Sequence, residues 1–189
     1  MENTREHITE QAAFAGGCFW CTEAIFLMLR GIRSAEPGYT GGRTAGPTYG
    51  EVSTGTTGHA EAVLVEYDPH EISFRELLVV FFATHDPTAL NRQGNDTGTQ
   101  YRSAIFYANN TQKEEAEAFI KALEAASPGG KKVVTTLEPF GVFYIAEEHH
   151  RKYYERNASQ PYCSLVIAPK VIKVQKEFAK LLKKKGPAL

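Results

Sequence analysis

Three cysteines are the side chains of this sequence best suited to covalent chemistry: Cys18, Cys21 and Cys163. Cys18 follows Gly16-Gly17, a pair that lets the chain leave a strand sharply, and it is predicted to lie in the first turn of a helix. Unpaired N–H groups and the positive end of the helix dipole stabilise a thiolate there, so we expect a lowered pKa and a nucleophilic sulfur. A small cysteine buried at a strand–helix junction is the alternative.

Glu61 is the acidic residue with the most informative surroundings. The stretch 59–67 alternates, and its two-residue period places Glu61 on the same face as Val63 and Val65. A carboxyl that points into an apolar face is desolvated, which raises its pKa and lets it donate a proton near neutral pH. A glutamate held in a salt bridge at a strand edge is the alternative.

Aromatic residues adjoin Cys18 and two glycine-rich loops. Phe19 and Trp20 follow the thiol directly, where they either wall an apolar pocket for a methyl or thioether group or pack in the core. Three polar residues lie in or beside the loops: Tyr49, Tyr101 and Asp96. The phenol O–H groups of the two tyrosines either hold a polar substrate oxygen or belong to side chains half-buried at strand ends.

The composition is that of a globular protein: of 189 residues, 42% are hydrophobic and 23% charged, which excludes disordered and fibrous classes. A net charge of −1 lacks the basic footprint of nucleic-acid binding. The longest apolar run, 77–83, is too short to span a membrane, and the first ten residues lack a signal-peptide layout. An odd number of cysteines argues against a disulfide scaffold. We expect a cytoplasmic monomer.

The elements that must position these residues alternate between strand and helix. The predicted strands are 11–15, 32–39, 59–67, 102–108 and 132–137. The predicted helices are 18–29, closed by Gly31; 74–82, begun by a Ser73–Glu76 capping box; 111–126, capped by Thr111 and ended by Pro128-Gly129-Gly130; and 145–157. The stretch 40–58, with six glycines, is predicted to be a loop or two weak strands, and 86–100 a second loop.

The order of these elements predicts an α+β fold. Its middle reads β-α-β-β-α-β, the split arrangement of a two-layer ferredoxin-like sandwich, with additional helices and long loops. We expect one domain over 1–189, with a core of about 11–168 and a C-terminal amphipathic, lysine-rich helix over 169–189. Two long loops in one compact domain call for a functional explanation.

Several ordered motifs resemble those of the methionine sulfoxide reductases of the A type. They are Gly16-Gly17-Cys18-Phe19-Trp20, Gly38-Tyr39-Thr40-Gly41-Gly42, Pro47-Thr48-Tyr49, Gly58-His59-Ala60-Glu61-Ala62-Val63, His85-Asp86-Pro87, Gln93-Gly94-Asn95-Asp96 and Gln100-Tyr101-Arg102-Ser103. The resemblance covers residues 11–168, and so many motifs in one order make it specific.

The resemblance implies an oxidoreductase that reduces the S epimer of methionine sulfoxide, free or in proteins, and so repairs oxidised proteins without a cofactor or metal. Cys18 matches the family's nucleophile, which ends as a sulfenic acid when methionine departs. Glu61 matches the acid that protonates the sulfoxide oxygen, and Tyr49 and Tyr101 match the phenols that bind that oxygen.

Other residues match the family's substrate-binding positions. Phe19 and Trp20 match the walls that hold the substrate methyl group. Asp96 matches a residue that orients the substrate or a site water, and His150 is assigned to the same set.

The second thiol of the reaction has two candidates. Cys163 matches the family's resolving cysteine in a mobile C-terminal segment, and the family's thioredoxin reduces the resulting disulfide. Cys21 stands where most members carry glycine and forms a Cys-x-x-Cys with Cys18, so a short disulfide there is conceivable. We favour Cys163, because a flexible tail adapts better to the strict geometry of a disulfide. Cys21 is then inert or a relay. The glycine-rich tail with a further cysteine that some members carry is absent here.

Three other functions use the same residues. A general thiol–disulfide oxidoreductase would use Cys18 and Cys21, although Phe-Trp between the cysteines is unusual for that class. A structural zinc site would combine the three cysteines with His149 or His150. A module that only binds oxidised methionine is the third, and the combination of thiol, acid and resolving cysteine argues against it.

Overall fold

Strands rich in alanine, valine and aromatic residues build the centre of the molecule, and the computed structural model describes residues 8–127 and 129–184. The strands are β1 Glu10–Gly16, β2 Ile32–Thr40, β3 Ala60–Tyr67, β4 Arg92–Gln93, β5 Asp96–Thr97, β6 Ser103–Tyr107, β7 Thr136–Pro139 and β8 Phe143–Ile145. The helices are α1 Phe19–Leu27, α2 Tyr49–Ser53, α3 Phe74–Thr84, α4 Asn110–Ala126, α5 Tyr153–Arg156 and α6 Ala168–Glu177.

Six strands form one mixed sheet in the order β7-β6-β1-β3-β2-β8, and β4 and β5 form a separate ladder. β1 is antiparallel to β3 and β6, with Phe14 opposite Val63 and Ile105, whereas β7 runs parallel to β6. The α+β class is confirmed. The four inner strands follow the predicted β-α-β-β-α-β order, but β7 and β8 extend the sheet beyond the four strands of the predicted ferredoxin-like arrangement.

The two faces of the sheet are packed differently. On one face, Phe14 and Val63 are fully buried with Phe26 of α1 and Leu77 of α3, so the helices cover this side with the main core. The opposite face buries one large ring, Phe106, among small side chains, which are Ala13, Ala15, Ala60, Ala62 and Ala104. Phe140 and Phe143 pack against this second cluster. Because period-two alternation assigns Glu61 to the helix-covered face, its carboxyl reaches the start of α1.

Side chains cap the starts of α2, α3 and α4, whereas α1, α5 and α6 begin without a side-chain cap. The predicted capping box of α3 is confirmed, since Glu76 N donates to Ser73 Oγ at 3.2 Å and Ser73 N donates to a Glu76 carboxylate oxygen at 2.8 Å. The predicted cap of α4 is wrong. Asn109, rather than Thr111, accepts from Gln112 N at 2.9 Å, so the helix begins one residue before Thr111. Pro128 of the predicted helix end lies outside the described residues.

The prediction of a helix over 145–157 is wrong. Ile145 closes the edge strand β8, and the next amide, Ala146 N, donates to Pro37 O at 2.9 Å. A 3₁₀ turn follows over Glu148–His150. Lys152 then adopts a left-handed backbone with φ of 50°, which interrupts helical geometry until α5 begins. Tertiary contacts of this segment therefore override its local helix propensity.

Smaller differences concern loops and helix ends. The predicted loop 40–58 contains α2, and the loop 86–100 contains β4 and β5. β7 begins at residue 136, four residues later than predicted. α1 ends at Leu27, and Gly31, with φ of 73°, lies in the turn into β2 rather than closing the helix.

The C-terminal helix is shorter than predicted. A π-helical turn, Cys163–Ile167, leads into α6, which buries Val171 and Val174 and ends at Glu177. Lys173 lies on the exposed face of this helix, and its Nζ donates to Ala83 O at 2.7 Å. Residues 185–189 of the predicted helix and residues 1–7 lie outside the described chain. Within the described part, none of the helices combines the length and apolarity needed to cross a membrane.

Candidate active site

The turn between β1 and α1 presents Cys18 at the edge of a groove. Gly17 adopts φ of 95°, and a Cβ there would lie 2.7 Å from Gln93 Cβ, so only glycine fits this turn. Cys18 occupies the N-cap position of α1 and is half-buried. The groove has a volume of 720 Å³ and is also lined by Cys21, by Asp96 and by residues of the C-terminal segment such as Tyr162 and Lys170.

The expected lowering of the Cys18 pKa is wrong. Burial raises the pKa of the thiol well above its usual range, and the hydrogen bond with Cys21 and the charge of Glu61 raise it further. The first N–H of α1, on Phe19, donates to a Glu61 carboxylate oxygen at 3.1 Å and so is not free for the thiolate. The hydrogen bond with Cys18 lowers the pKa of Cys21, and the charge of Lys170 supports this shift.

Glu61 is buried as the alternation predicts. It is 1% exposed, and burial raises its pKa to about 8, even though the Phe19 N–H bond opposes the shift. Its neighbours include no salt-bridge partner within the described residues, so the salt-bridge alternative is wrong. A carboxyl that is protonated at neutral pH therefore lies at the start of the helix that carries Cys18.

Aromatic rings surround the start of α1. Phe19 is 1% exposed, and its ring centroid lies 6.3 Å from that of Tyr49. Trp20 stacks on Tyr153 at 3.7 Å with an interplanar angle of 7°, and its Nε1 donates to His150 Nδ1 at 3.2 Å. The remaining ring nitrogen of His150, Nε2, is buried without a hydrogen-bond partner in the described chain. Since burial lowers the pKa of His150, this nitrogen carries the proton of a neutral ring.

The polar residues predicted from the loops converge on the same place. Tyr49 begins α2, and its ring lies 4.4 Å from that of His150. Tyr101 ends the 3₁₀ turn Thr99–Tyr101. Burial and the charge of Glu61 raise the pKa values of both phenols, so both remain protonated. Asp96 lies on β5 and accepts a hydrogen bond from Tyr162 Oη at 2.7 Å.

Cys163 lies behind Cys21 and is not in an exposed tail. It is fully buried in a cluster with Cys21, Ala24, Ile167 and Val171, against which Cys18 packs. Burial and the charge of Cys21 raise its pKa. The three thiols are thus gathered at one end of α1, although the C-terminal segment is packed rather than loose. All three are free.

Three residues that the sequence analysis did not assign to the site, Tyr39, Glu147 and Tyr162, make hydrogen bonds beside it. Tyr39 stands opposite Glu61 in the β2–β3 ladder and belongs to the motif Gly38-Tyr39-Thr40-Gly41-Gly42. Its hydroxyl donates to Glu147, which had no local sequence signal. Tyr162 directly precedes Cys163, and that adjacency could have identified it.

The zinc alternative lacks a matching arrangement in the described parts of the chain. No group of three or more His, Cys, Asp or Glu side chains there is placed to hold a metal ion. The neighbours of the thiols are instead aromatic rings, a buried carboxyl and phenols.

Comparisons with known proteins agree with this geometry. The family described as "Peptide methionine sulfoxide reductase" matches residues 10–182. The peptide methionine sulfoxide reductase MsrA of Acinetobacter baumannii (strain AYE) is 51% identical over 92% of this chain and 99% of its own length. The MsrA of Saccharolobus solfataricus is 54% identical over 89% of this chain and 94% of its own.

Solved structures show the same similarity. Methionine sulfoxide reductase A of Corynebacterium diphtheriae aligns with a TM-score of 0.71 and 39% identity, over 82% of this chain and 77% of that one. Reduced Mxr1 from Saccharomyces cerevisiae aligns with a TM-score of 0.75 and 36% identity, over 82% and 89%. Mxr1 in complex with Trx2 aligns with a TM-score of 0.51 and 26% identity, over 80% and 91%.

Proposed function

The chain belongs to the peptide methionine sulfoxide reductase family, and on that premise we propose how its residues divide the reaction. It is an oxidoreductase that reduces methionine sulfoxide to methionine. Its substrate is the S epimer, free or within oxidised proteins, and the result is repair of the damaged side chain. One observation carries the proposal: a buried, protonated carboxyl, Glu61, lies at the start of the helix that presents the Cys18 thiol.

Cys18 attacks the sulfoxide sulfur while Glu61 protonates the sulfoxide oxygen. The hydroxyl then passes from the substrate sulfur to Cys18 Sγ as the bond between the two sulfurs breaks and methionine leaves. The raised pKa of Glu61 supports this role, because an acid with a pKa near 8 holds its proton at neutral pH and releases it to a developing oxyanion. The proton that Glu61 gives is replaced by the thiol proton of Cys18. Thiol and sulfoxide thereby become a sulfenic acid and a thioether, with no net change in protons.

Phe19 and Trp20 hold the methyl end of the substrate. The stack of Trp20 on Tyr153 and its bond to His150 fix the indole plane, so a thioether meets a preformed apolar wall. Tyr49 and Tyr101 donate to the sulfoxide oxygen, which their raised pKa values permit throughout the neutral range. This division of apolar and polar groups selects one orientation of the sulfoxide.

Asp96 and His150 bind the rest of the substrate. Asp96 exchanges its bond from Tyr162 for one from the substrate or a site water. His150 offers the Nε2–H donor that lacks a partner in the described structure, and a buried donor gains free energy when it is paired.

Cys163 resolves the sulfenic acid, and thioredoxin reduces the resulting disulfide. Cys163 is buried in one cluster with Cys21, and Cys18 packs against this cluster. This placement supports the role, because a local opening of the cluster would let the Cys163 thiol reach the sulfenic acid on Cys18. The relative Mxr1 forms a complex with Trx2. Cys21 is a relay or is inert, and a Cys18–Cys21 disulfide is the alternative outcome. A cycle that depends on free thiols is suited to the cytoplasm, where thiols are kept reduced.

The proposal is tested with the purified, reduced protein and each epimer of methionine sulfoxide separately. We expect methionine from the S epimer and not from the R epimer, with loss of activity in Cys18→Ser. Peptide mapping after one turnover without reductant identifies the disulfide partners. Reduction of insulin without reduction of either epimer would favour the general thiol–disulfide oxidoreductase instead.

A further inference from the structure

Glu147 places its carboxylate between two aromatic residues of the site, Tyr39 and Tyr49. It is half-buried and precedes the 3₁₀ turn Glu148–His150. One carboxylate oxygen accepts from Tyr39 Oη at 2.7 Å and the other from Tyr49 N at 2.8 Å. Although burial opposes ionisation, the hydrogen bond from Tyr49 N and that from Tyr39 keep the pKa of Glu147 below its usual value. Both oxygens of an ionised carboxylate are therefore engaged.

The bond to Tyr49 N holds the first residue of α2. This helix has five residues, Tyr49–Ser53, and it follows a largely exposed, glycine-containing loop. A helix this short is not stable by itself, so tertiary contacts must fix its position. The Thr48–Glu51 capping box holds the helix internally but does not attach it to the sheet.

The same turn contacts Tyr49 a second time, now at its ring. His150 N donates to Glu147 O at 2.9 Å, and the His150 ring lies 4.4 Å from the Tyr49 ring. Residues 147–150 thus hold both the backbone and the ring of Tyr49. On the other side, Tyr39 stands opposite Glu61 in the β2–β3 ladder. The Glu147 carboxylate therefore links Tyr49 to the β2–β3 strand pair, which carries Glu61.

We propose that Glu147 is a positioning residue for sulfoxide reduction, which acts by fixing the Tyr49 phenol relative to Glu61. The inference rests on the proposed function, in which Tyr49 donates to the sulfoxide oxygen. A charge-assisted hydrogen bond is among the stronger ones available to a folded chain. Misplacing a reacting group by about 1 Å can cost about 100-fold in rate, so loss of this bond reaches the chemistry through Tyr49.

The test is a double-substitution cycle between Glu147→Gln and Tyr49→Phe. Tyr49→Phe removes the phenol O–H but keeps the Tyr49 N–H that binds Glu147. The measured quantity is the rate of methionine release in a single turnover of reduced protein without added reductant, which isolates the first step. We expect Glu147→Gln alone to slow this rate about 10-fold. In the Tyr49→Phe background, the same change should slow it less than about twofold, because the phenol it positions is gone.

Two further variants keep the test decisive. Glu148→Gln alters the exposed neighbour, whose partners are Arg151 and Arg156, and should leave the rate unchanged. Glu147→Asp keeps the charge but withdraws the carboxylate by one methylene, so it repeats the cycle if Glu147→Gln fails to fold. Hydrogen exchange at Tyr49 N should accelerate in both Glu147 variants.

The outcomes separate this inference from the proposed function. If the unsubstituted protein reduces neither epimer, both are overturned. If it reduces the S epimer but the effects of Glu147 and Tyr49 multiply independently, the function holds and the positioning role is wrong. An unchanged rate in Glu147→Gln would overturn it equally.

Discussion

Replacing Glu61 with glutamine should make the protein more stable at neutral pH and much less active. The buried carboxyl titrates at about 8 in the folded chain instead of 4.5, its usual value. At pH 7 the unfolded chain therefore ionises this group while the folded chain must protonate it. By linkage, this difference opposes folding by about 3 kcal/mol at pH 7. Glutamine avoids the penalty, and its carbonyl oxygen still accepts from Phe19 N.

The sign of the pH dependence follows from the same shift. Below 4.5 the carboxyl is protonated in both states, so the penalty is absent. It grows as pH rises toward 8, and the gain from Glu61→Gln should be about 1 kcal/mol at pH 5 against about 3 at pH 7. Urea unfolding of both proteins at the two pH values measures this difference. Glu66→Gln, on the same strand but partly exposed, is the matched control.

Activity should change in the opposite direction. Loss of a general acid costs about 100- to 10,000-fold in the step it serves, so methionine release in a single turnover should slow by that order. The unsubstituted protein should lose rate above about pH 8 as Glu61 ionises, and the variant should lack this decline. Equal stability of Glu61→Gln and Glu66→Gln at pH 7, or an unchanged first step, would show that Glu61 is not a buried neutral acid.

Three other substitutions probe separate parts of the structure. Cys163→Ser should release about one equivalent of methionine per protein and then stall with thioredoxin, whereas steady turnover would transfer the resolving role to Cys21. Ser73→Ala removes the cap of α3 and should lower the free energy of unfolding by about 1 kcal/mol without slowing the reaction, as urea titration and a turnover assay would show. Gly17→Ala forces a Cβ to 2.7 Å from Gln93 and should lower the melting temperature and slow Cys18 alkylation, whereas Gly46→Ala, also at positive φ but in open space, should leave alkylation unchanged.

Local patterns predicted those parts of the fold that local interactions decide. The alternation over 59–67 predicts β3 and the burial of Glu61, and the Ser73–Glu76 spacing predicts the start of α3. The segment 145–157 could not be predicted this way. Its amides and carboxylates bind residues far away in the sequence, such as Pro37 and Tyr39.

The pKa of Cys18 could not be predicted from local sequence either. A helix start predicts a lowered pKa for Cys18, and the sequence does place Cys18 there. The prediction is wrong chiefly because burial of the thiol disfavours its ionised form, and the hydrogen bond with Cys21 raises the pKa further. In addition, Glu61, 42 residues after Phe19, takes the Phe19 N–H that could have stabilised a thiolate. The position of a thiol on a helix follows from sequence, whereas the sign of its pKa shift depends on residues that only the tertiary structure brings near.

Trp20 gives the protein an internal optical reporter. It is the sole tryptophan of the chain, so excitation at the red edge of the absorption band observes one indole without any label. That indole is stacked on Tyr153 and hydrogen-bonded to His150, both in the segment that leads to Cys163. The ring of Tyr162, directly before Cys163, also lies 5.8 Å from the indole, so a rearrangement that brings Cys163 out of its cluster should change the surroundings of Trp20. Stopped-flow emission can therefore time the structural change between sulfoxide reduction and disulfide formation within each catalytic cycle.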